Sequence, residues 1–476
     1  MAEVPPPLAA ELTRTGQHHL VDIVRSLPDA AGGRLLRQIE QLDLDLIHRL
    51  VERFVHAPEA EHEPGSIGPP DAVPLAVDDD GRALTEQARA EGEAALRAGR
   101  VAVVLLAGGQ GSRLGFDGPK GDYPFGPVTG RTLFDQHAAR IAATRTRYGA
   151  DLPWYVLTSP ANDRETRRIF AAADHFGLEP ESIRFVVQGT LPAVDAGTGE
   201  ILRESPDTLA LSPDGHGGLL SALRRSGALD EMAAAGISTF FTFQVDNPLI
   251  HVADPVFVGH HLRAGADMSN LAVRKHDPAE RVGVIATIGD ATGVVEYSDL
   301  PDELAAARDD DGSLTLWAGS IATHCIEVAF AWELTEGGTR LPFHRALKKV
   351  AHVDADGHRV EPDEPNAVKF ETFIFDALPL AGASVTVEVD RAEQFSPIKN
   401  ATGGDSPDQC RRDCNRLWAK WLRDAGVDVP TDADGEPVDL EIDPRFALDA
   451  DELRERLPAG FSVDGPTYLG PGDLTA

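Results

Sequence analysis

Between Leu8 and Val55 the apolar residues recur three and four apart. In RLLRQIEQLDLDLIHRLVERFV, Leu35, Ile39 and Leu42 fall on one stripe and Leu46, Leu50 and Phe54 on the next. That spacing predicts an N-terminal arm of amphipathic helices. From Ala57 to Gly81 the pattern gives way to proline, glycine and acidic residues, which predicts an irregular connection. Helical spacing resumes from about Leu84 to Leu96. The pattern then changes kind. The apolar runs VAVVLLAGG, PWYVLTSP, SIRFVVQG and STFFTFQVD alternate with helical segments. These are TLFDQHAARIAATRTRY behind a Thr132 cap, NDRETRRIFAAADHFG with Asn162 and Glu165 spaced as a capping box, and GGLLSALRRSGALDEMAAAG. Continuous apolar runs separated by helices predict strands buried on both faces of a mostly parallel sheet, an α/β fold. ADMSNLAVRK, RVGVIATIG and GVVEYSDL add strands expected to pair antiparallel. No internal repeat is visible. The segments expected are a helical arm and linker over residues 1–98, a main domain over 99–400 and a small C-terminal domain over 401–476.

Charge narrows what such a fold can bind. Asp and Glu outnumber Lys and Arg by 77 to 44, a formal net charge of -33 over 476 residues, which disfavours nucleic acid and anionic membrane as partners. An anionic ligand then needs a local cationic pocket. Arginine carries most of the positive charge, so a lysine inside a glycine-rich loop stands out, whereas Lys275 and Lys420 read as solvated surface lysines. Three cysteines, Cys325, Cys410 and Cys414, support neither a disulfide framework nor a zinc site. The first residues, MAEVPPPLAAELTRTG, carry no basic and apolar leader pattern, and no apolar run is long enough to span a membrane. A cytoplasmic location is expected; the oligomeric state is left open.

The chemistry is concentrated in LLAGGQGSRLGFDGPKGDY, Leu105 to Tyr123, directly after the first predicted strand of the sheet. Glycines at 108, 109, 111 and 115 allow tight turns and close backbone approach, the geometry of a phosphate cradle. The run ends in PKGD where a Walker A loop has G-K followed by Ser or Thr. It reads G-G-x-G-x-x-x-G where a dinucleotide loop has G-x-G-x-x-G. Arg113 and Lys120 add two cations, more than a turn requires and suited to a triphosphate. Asp246, at the end of STFFTFQVD, puts a carboxylate where strands of such sheets open onto ligand, and Mg2+ takes one or two carboxylates plus substrate phosphates.

LLAGGQGSRLGFDGPKG resembles the signature of the UDP-sugar pyrophosphorylase (UDPGP type 1) family, and most closely its UDP-N-acetylhexosamine pyrophosphorylases. The resemblance continues in order through WYVLTS, VQGTLPAVD, SPDGHGG, FQVDNPL, ADPVFVGHHLRAGAD, ERVGV, VVEYSDLP, EPNAVKFETFIFDAL and EQFSPIKNA. It implies a Rossmann-like (GT-A-like) nucleotidyltransferase fold and transfer of uridylyl from UTP to a hexose 1-phosphate, releasing pyrophosphate. The acceptor it implies is N-acetylglucosamine 1-phosphate, with glucose 1-phosphate or a broad sugar range as the alternative and a non-catalytic UDP-sugar sensor as the competing class. It also implies site residues. Leu106, Ala107, Gly108 and Gly109 would offer backbone to uridine and triphosphate, while Arg113, Lys120 and Lys399 would act on the phosphates and departing pyrophosphate, with Lys369 a further phosphate ligand. Gln188 would read the uracil edge and Gly215 pack against the base. Gly283, Glu296 and Tyr297 would face the sugar, and Asp246 would hold Mg2+, with Asp376 a weaker candidate for a second metal ligand. Two positions depart from the N-acetylhexosamine pattern. PDGHGG stands for PDGNGG and WAGSIA for NAGNIA, so His216 and Ser320 replace sugar-facing asparagines.

Overall fold

The computed structural model describes residues 3–57, 65–354 and 357–473, which form two compact units assembled from non-contiguous segments. The first comprises Met1–Pro64, Gln188–Ser221 and Thr339–Asp376; the second comprises Gly65–Val187, Ala222–Gly338 and Ala377–Ala476.

In the first unit the arm is helical as its periodicity predicts, in four helices: Pro6–Arg14, His19–Ser26, Asp29–Ile39 and Leu44–Val51. Their apolar stripes, including Leu12, Leu20, Val24, Leu35, Ile39 and Leu50, pack on Val194, Ile201, Val368 and Phe370. An isolated arm of short helices would be marginal in water; burying the stripe on strands is what stabilises it. Phe343–Lys348, Ala367–Thr372 and Val194–Asp195 form an antiparallel three-stranded sheet. The Gln17 amide ties the arm to the 195–201 turn, donating to Gly199 O at 2.9 Å and accepting from Ile201 N at 2.8 Å.

The second unit is built on a sheet whose main path runs Ala72–Val73, Ser384–Glu388, Met268–Arg274, Ala318–Glu327, Thr239–Gln244, Val101–Leu106, Trp154–Thr158, Ile183–Val187. Ala318–Glu327 is antiparallel to both neighbours and the other pairings along the path are parallel. Val101–Leu106 and Trp154–Thr158 are buried at every position, as continuous apolar runs require of strands covered on both faces. Ile183–Val187 is exposed at Arg184 and Val187 because it lies at the sheet edge. After the edge strand Ala72–Val73, the chain passes through Val101–Leu106, proceeds outward on one side through Trp154–Thr158, and later adds Thr239–Gln244 on the other. The order therefore reverses at Val101–Leu106, and the crevice beyond the carboxyl ends of such strands is where α/β sheets bind ligand. RVGVIATIG and GVVEYSDL form the expected antiparallel pair, Val284–Ile288 with Ala291–Val295.

Several elements differ from their sequence pattern. The helix expected from about Leu84 begins at Asp79, because Asp78 accepts from Gly81 N and caps it earlier. Of the 57–81 connection, residues 58–64 lie outside the described ones; the rest holds two short strands, Ile67–Gly68 and Ala72–Val73. GGLLSALRRSGALDEMAAAG is two helices, Gly218–Arg225 and Ala228–Ala234, parted at Gly227, whose φ of 78° no continuing helix accommodates. The C-terminal helix Pro407–Asp424, capped by Ser406, contributes Cys410, Cys414, Leu417, Trp418 and Trp421 to the same core as Val103 and Trp154. Glu441, beyond it, accepts from the Val128 and Thr129 backbone N–H groups and from Thr129 Oγ1, and Asp443 pairs with Arg131, so this segment pins the 126–131 loop.

Candidate active site

Beyond Leu106 the glycine-rich chain folds into a hook. Gly111 N donates to Gly118 O at 2.9 Å and Lys120 N to Gly109 O at 3.1 Å, so Gln110 lies opposite Pro119. The hook closes because Gly121 has no side chain: a Cβ there would sit 2.2 Å from the buried ring of Phe134. Lys120 is thereby delivered to the end of the adjacent strand Thr239–Gln244, where its Nζ donates to Asp246 Oδ2 at 3.1 Å, with only 17% and 13% of the two side chains exposed. Arg113, on the exposed side of the hook, has no carboxylate partner among the described residues.

The turn carrying Asp246 is held from two directions. On one side a ring nitrogen of His137 (Nε2) meets Val245 O at 3.0 Å and Arg140 Nε donates to Pro248 O at 3.1 Å. Burial pushes His137 down to about 4, so the imidazole is neutral and Nε2 carries the proton that Val245 O accepts. On the other side Asn247 Nδ2 donates to Gln394 O and accepts at Oδ1 from Ser396 N, while Ile398 N donates to Asp246 O at 2.8 Å. This last bond places Lys399 next in chain to the residue bonded to Asp246. Lys399 leans over the Phe395 ring, 5.6 Å from its centroid, with its Nζ 3.9 Å from Asp405.

The loop residues 107–109 are fixed by the end of the next strand. Ser159 Oγ donates to Gly108 O at 2.8 Å, and Asn162 Nδ2 donates to Ala107 O at 2.9 Å and Gly109 O at 3.3 Å. Asn162 does not cap the helix it precedes, contrary to its capping-box spacing; its amide is spent on the glycine-rich loop instead. Sequence reading missed Ser159 and Asn162 as site residues because their partners lie about fifty positions away.

Gly283, Glu296 and Ser320 also come together in the second unit. Ser320 N donates to Gly283 O at 2.8 Å, and a Cβ on Gly283 would lie 2.9 Å from Val294 and 3.4 Å from Glu296 Oε1. Tyr297 is exposed. Ser320 Oγ accepts from Ala322 N at 3.3 Å across a kink where Ala322 has φ 52°, so the strand is irregular at the position that departs from the family pattern. Lys275, expected in solvent, is 8% exposed: it packs beside Gly319 with Nζ donating to Pro278 O at 3.3 Å, and burial pushes its pKa down.

Gln188, Gly215, His216 and Lys369 lie in the first unit. Gln188 Nε2 donates to Gly215 O, which leaves its carbonyl oxygen as an acceptor and one amide N–H as a donor. Gly215 has φ 83° and its Cβ would lie 2.3 Å from Thr372 O, so both conformation and space demand glycine. His216 stacks on Phe373 at 5.2 Å and accepts from Ile374 N at Nδ1, 3.1 Å away. Burial, with the nearby His344, pushes it down to about 4, so Nε2 bears the proton. Lys369, on the face of its strand opposite Val368 and Phe370, has no carboxylate partner among the described residues. Asp376 accepts from His344 Nε2 at 2.7 Å.

Among the described residues no three His, Cys, Asp or Glu side chains gather as a metal cage; Asp246 offers a carboxylate at the sheet end, with the Asp405 carboxyl within electrostatic range of it. That donor set fits a hard cation completing its shell with substrate phosphates and water.

A family model described as UTP--glucose-1-phosphate uridylyltransferase matches residues 48–403. The chain is 39% identical over 344 residues to UDP-N-acetylglucosamine pyrophosphorylase of Saccharomyces cerevisiae, covering 70% of this chain and 72% of that protein. It is 36% identical over 437 residues to UDP-N-acetylhexosamine pyrophosphorylase-like protein 1 of Homo sapiens, covering 88% and 85%. Among solved structures, the uridine diphosphate N-acetylglucosamine pyrophosphorylase of Trypanosoma brucei superposes with a TM-score of 0.80 at 26% identity, over 96% of this chain and 95% of that one.

Proposed function

We infer that this chain, which belongs to the UTP--glucose-1-phosphate uridylyltransferase family, joins UTP to N-acetylglucosamine 1-phosphate and releases pyrophosphate. The observation that carries the chemistry is the Lys120–Asp246 pair at the strand end where sheet order reverses, beside a glycine-rich hook. A sugar phosphate oxygen attacks the α-phosphorus of UTP, the bond to the β-phosphate bridging oxygen breaks, and pyrophosphate leaves. A phosphate monoester is already ionised at neutral pH, so no general base is needed, and catalysis consists of positioning and charge stabilisation. Lys120, Arg113, Lys399 and Lys369 are the cations proposed to meet the phosphates, and Leu106 to Gly109 to present backbone. Gln188 is proposed to read the uracil edge and Gly215 to pack against it. Gly283, Glu296, Tyr297, His216 and Ser320 are proposed to face the sugar.

Asp246 is the residue proposed to hold Mg2+, which when bound supplies positive charge against the triphosphate. A cytoplasmic location is part of the same proposal: the three cysteines are free and buried, and among the described residues no helix is long and apolar enough to cross a membrane.

Pyrophosphate release from UTP with a panel of hexose 1-phosphates tests the reading. N-acetylglucosamine 1-phosphate is expected to give the highest kcat/KM. A higher value with glucose 1-phosphate would move the acceptor assignment, and UDP-sugar binding without release from any acceptor would make the chain a sensor.

A further inference from the structure

The Ser159–Asn162 pair does more than fill space behind the glycine-rich loop. Ser159 N donates to Asn162 Oδ1 at 2.9 Å, which fixes the amide's orientation and turns Nδ2 toward the loop. Both residues are almost fully buried, at 2% and 1% exposure, so their hydrogen bonds face no competition from water. Three consecutive carbonyls, those of Ala107, Gly108 and Gly109, are thereby drawn to the protein side. Gly109 O also accepts from Lys120 N. Among the described residues, the N–H groups of Gly108, Gly109 and Gln110 have no acceptor in the protein. Successive backbone N–H groups left free in this way form an anion-binding concavity, and the carbonyl oxygens of 107–109, bonded on the other side, do not compete with an anion for it.

We propose that Asn162, with Ser159, is the positioning residue of the nucleotide loop: it holds the 107–109 carbonyls so that the amides of 108–110 are aimed at the triphosphate. Neither residue touches substrate. The proposal rests on the reading of this loop as the UTP site.

Asn162→Asp tests it, because the side chain keeps its size and its Oδ1 while the Nδ2 donor becomes an oxygen set against two carbonyls. The readouts are the Kd for UTP by calorimetry, the KM values for UTP and sugar 1-phosphate, and the melting temperature. Wild-type protein is measured first; if it does not bind UTP, the nucleotide reading fails and the proposal falls with it. Given UTP binding, Asn162→Asp is expected to raise the Kd and KM for UTP by roughly thirtyfold while KM for the sugar 1-phosphate stays within about twofold, since loss of a buried donor acts locally. Ser159→Ala, which removes one of the three bonds, is expected to raise KM for UTP by about threefold to tenfold. Unchanged UTP affinity in a folded Asn162→Asp variant, or equal losses for both substrates, would overturn the proposal. Should that variant not fold, Ser159→Ala decides: a wild-type KM for UTP overturns the proposal, and a raised one at unchanged melting temperature supports it.

Discussion

At the scale of single residues the pair to break is Lys120–Asp246. Two opposite charges 3.1 Å apart with small exposure satisfy each other, so removing either leaves the other buried charge uncompensated. Lys120→Ala is expected to lower turnover by about a hundredfold or more, the scale of one preorganised charge at a developing anion. Asp246→Asn, which retains an acceptor for Lys120, is expected to abolish Mg2+-dependent turnover; steady-state rates with and without Mg2+ check both, and wild-type rates in Asp246→Asn would remove that carboxylate from the chemistry. Sugar choice is a second matter at this scale. Asn Oδ1 can replace His216 Nδ1 as the acceptor for Ile374 N, so the His216→Asn, Ser320→Asn double variant should fold. It is expected to raise the usage ratio of N-acetylglucosamine 1-phosphate to glucose 1-phosphate by about tenfold, the worth of one or two hydrogen bonds to a substrate amide. An unchanged ratio in competition assays would place selectivity elsewhere.

At the scale of elements, legibility followed the range of the interactions involved. Val101–Leu106, Trp154–Thr158 and Thr239–Gln244 were readable because a strand covered on both faces is mostly apolar along its length, and the Thr132 cap because its partner, Asp135 N, is three residues on. The glycine-rich hook and Asp246 were readable as chemistry because glycine, lysine and carboxylate carry their roles in their composition. Asn162 misled because the same side chain fits a local cap and a distant loop, and only the fold decides. Lys275 misled for the same reason, since nothing beside it in sequence announces Gly319 as its neighbour. Another long-range feature was invisible: helices Asp79–Arg97 and Pro255–Arg263 cross at Gly92 and Gly259, where a Cβ would meet Pro255 O at 1.9 Å and Ala88 O at 1.8 Å. The obstructing atoms are backbone and cannot swing aside. Gly259→Ala is therefore expected to cost about 3 kcal/mol or more by forcing the helices apart. Denaturant titration measures it, and a loss below about 0.5 kcal/mol, the ordinary surface range, would mean the crossing can relax freely.

At the scale of the whole molecule, acid acts in two opposing ways and their pKa ranges decide which comes first. A formal charge of -33 strains the folded chain by self-repulsion, but protonating carboxylates relieves this only near and below their ordinary values of about 4. Burial meanwhile pushes His137 and His251 in the second unit, and His216 in the first, down to about 4 from an ordinary value of 6.5. Between those two values the unfolded chain holds protons on these imidazoles that the folded chain refuses. Stability therefore falls as pH falls through that window, by up to about 1.4 kcal/mol per pH unit for each of these rings, of which His137 is fully buried and His216 and His251 part-buried. The histidine effect is thus under way before the carboxylates begin to titrate. Melting temperature is expected to drop between pH 7 and pH 5, and His137→Gln, whose amide can donate to Val245 O without titrating, is expected to show a shallower slope at some cost in stability. A melting temperature that held steady or rose toward pH 5 would mean that relief of charge repulsion outweighs the buried imidazoles.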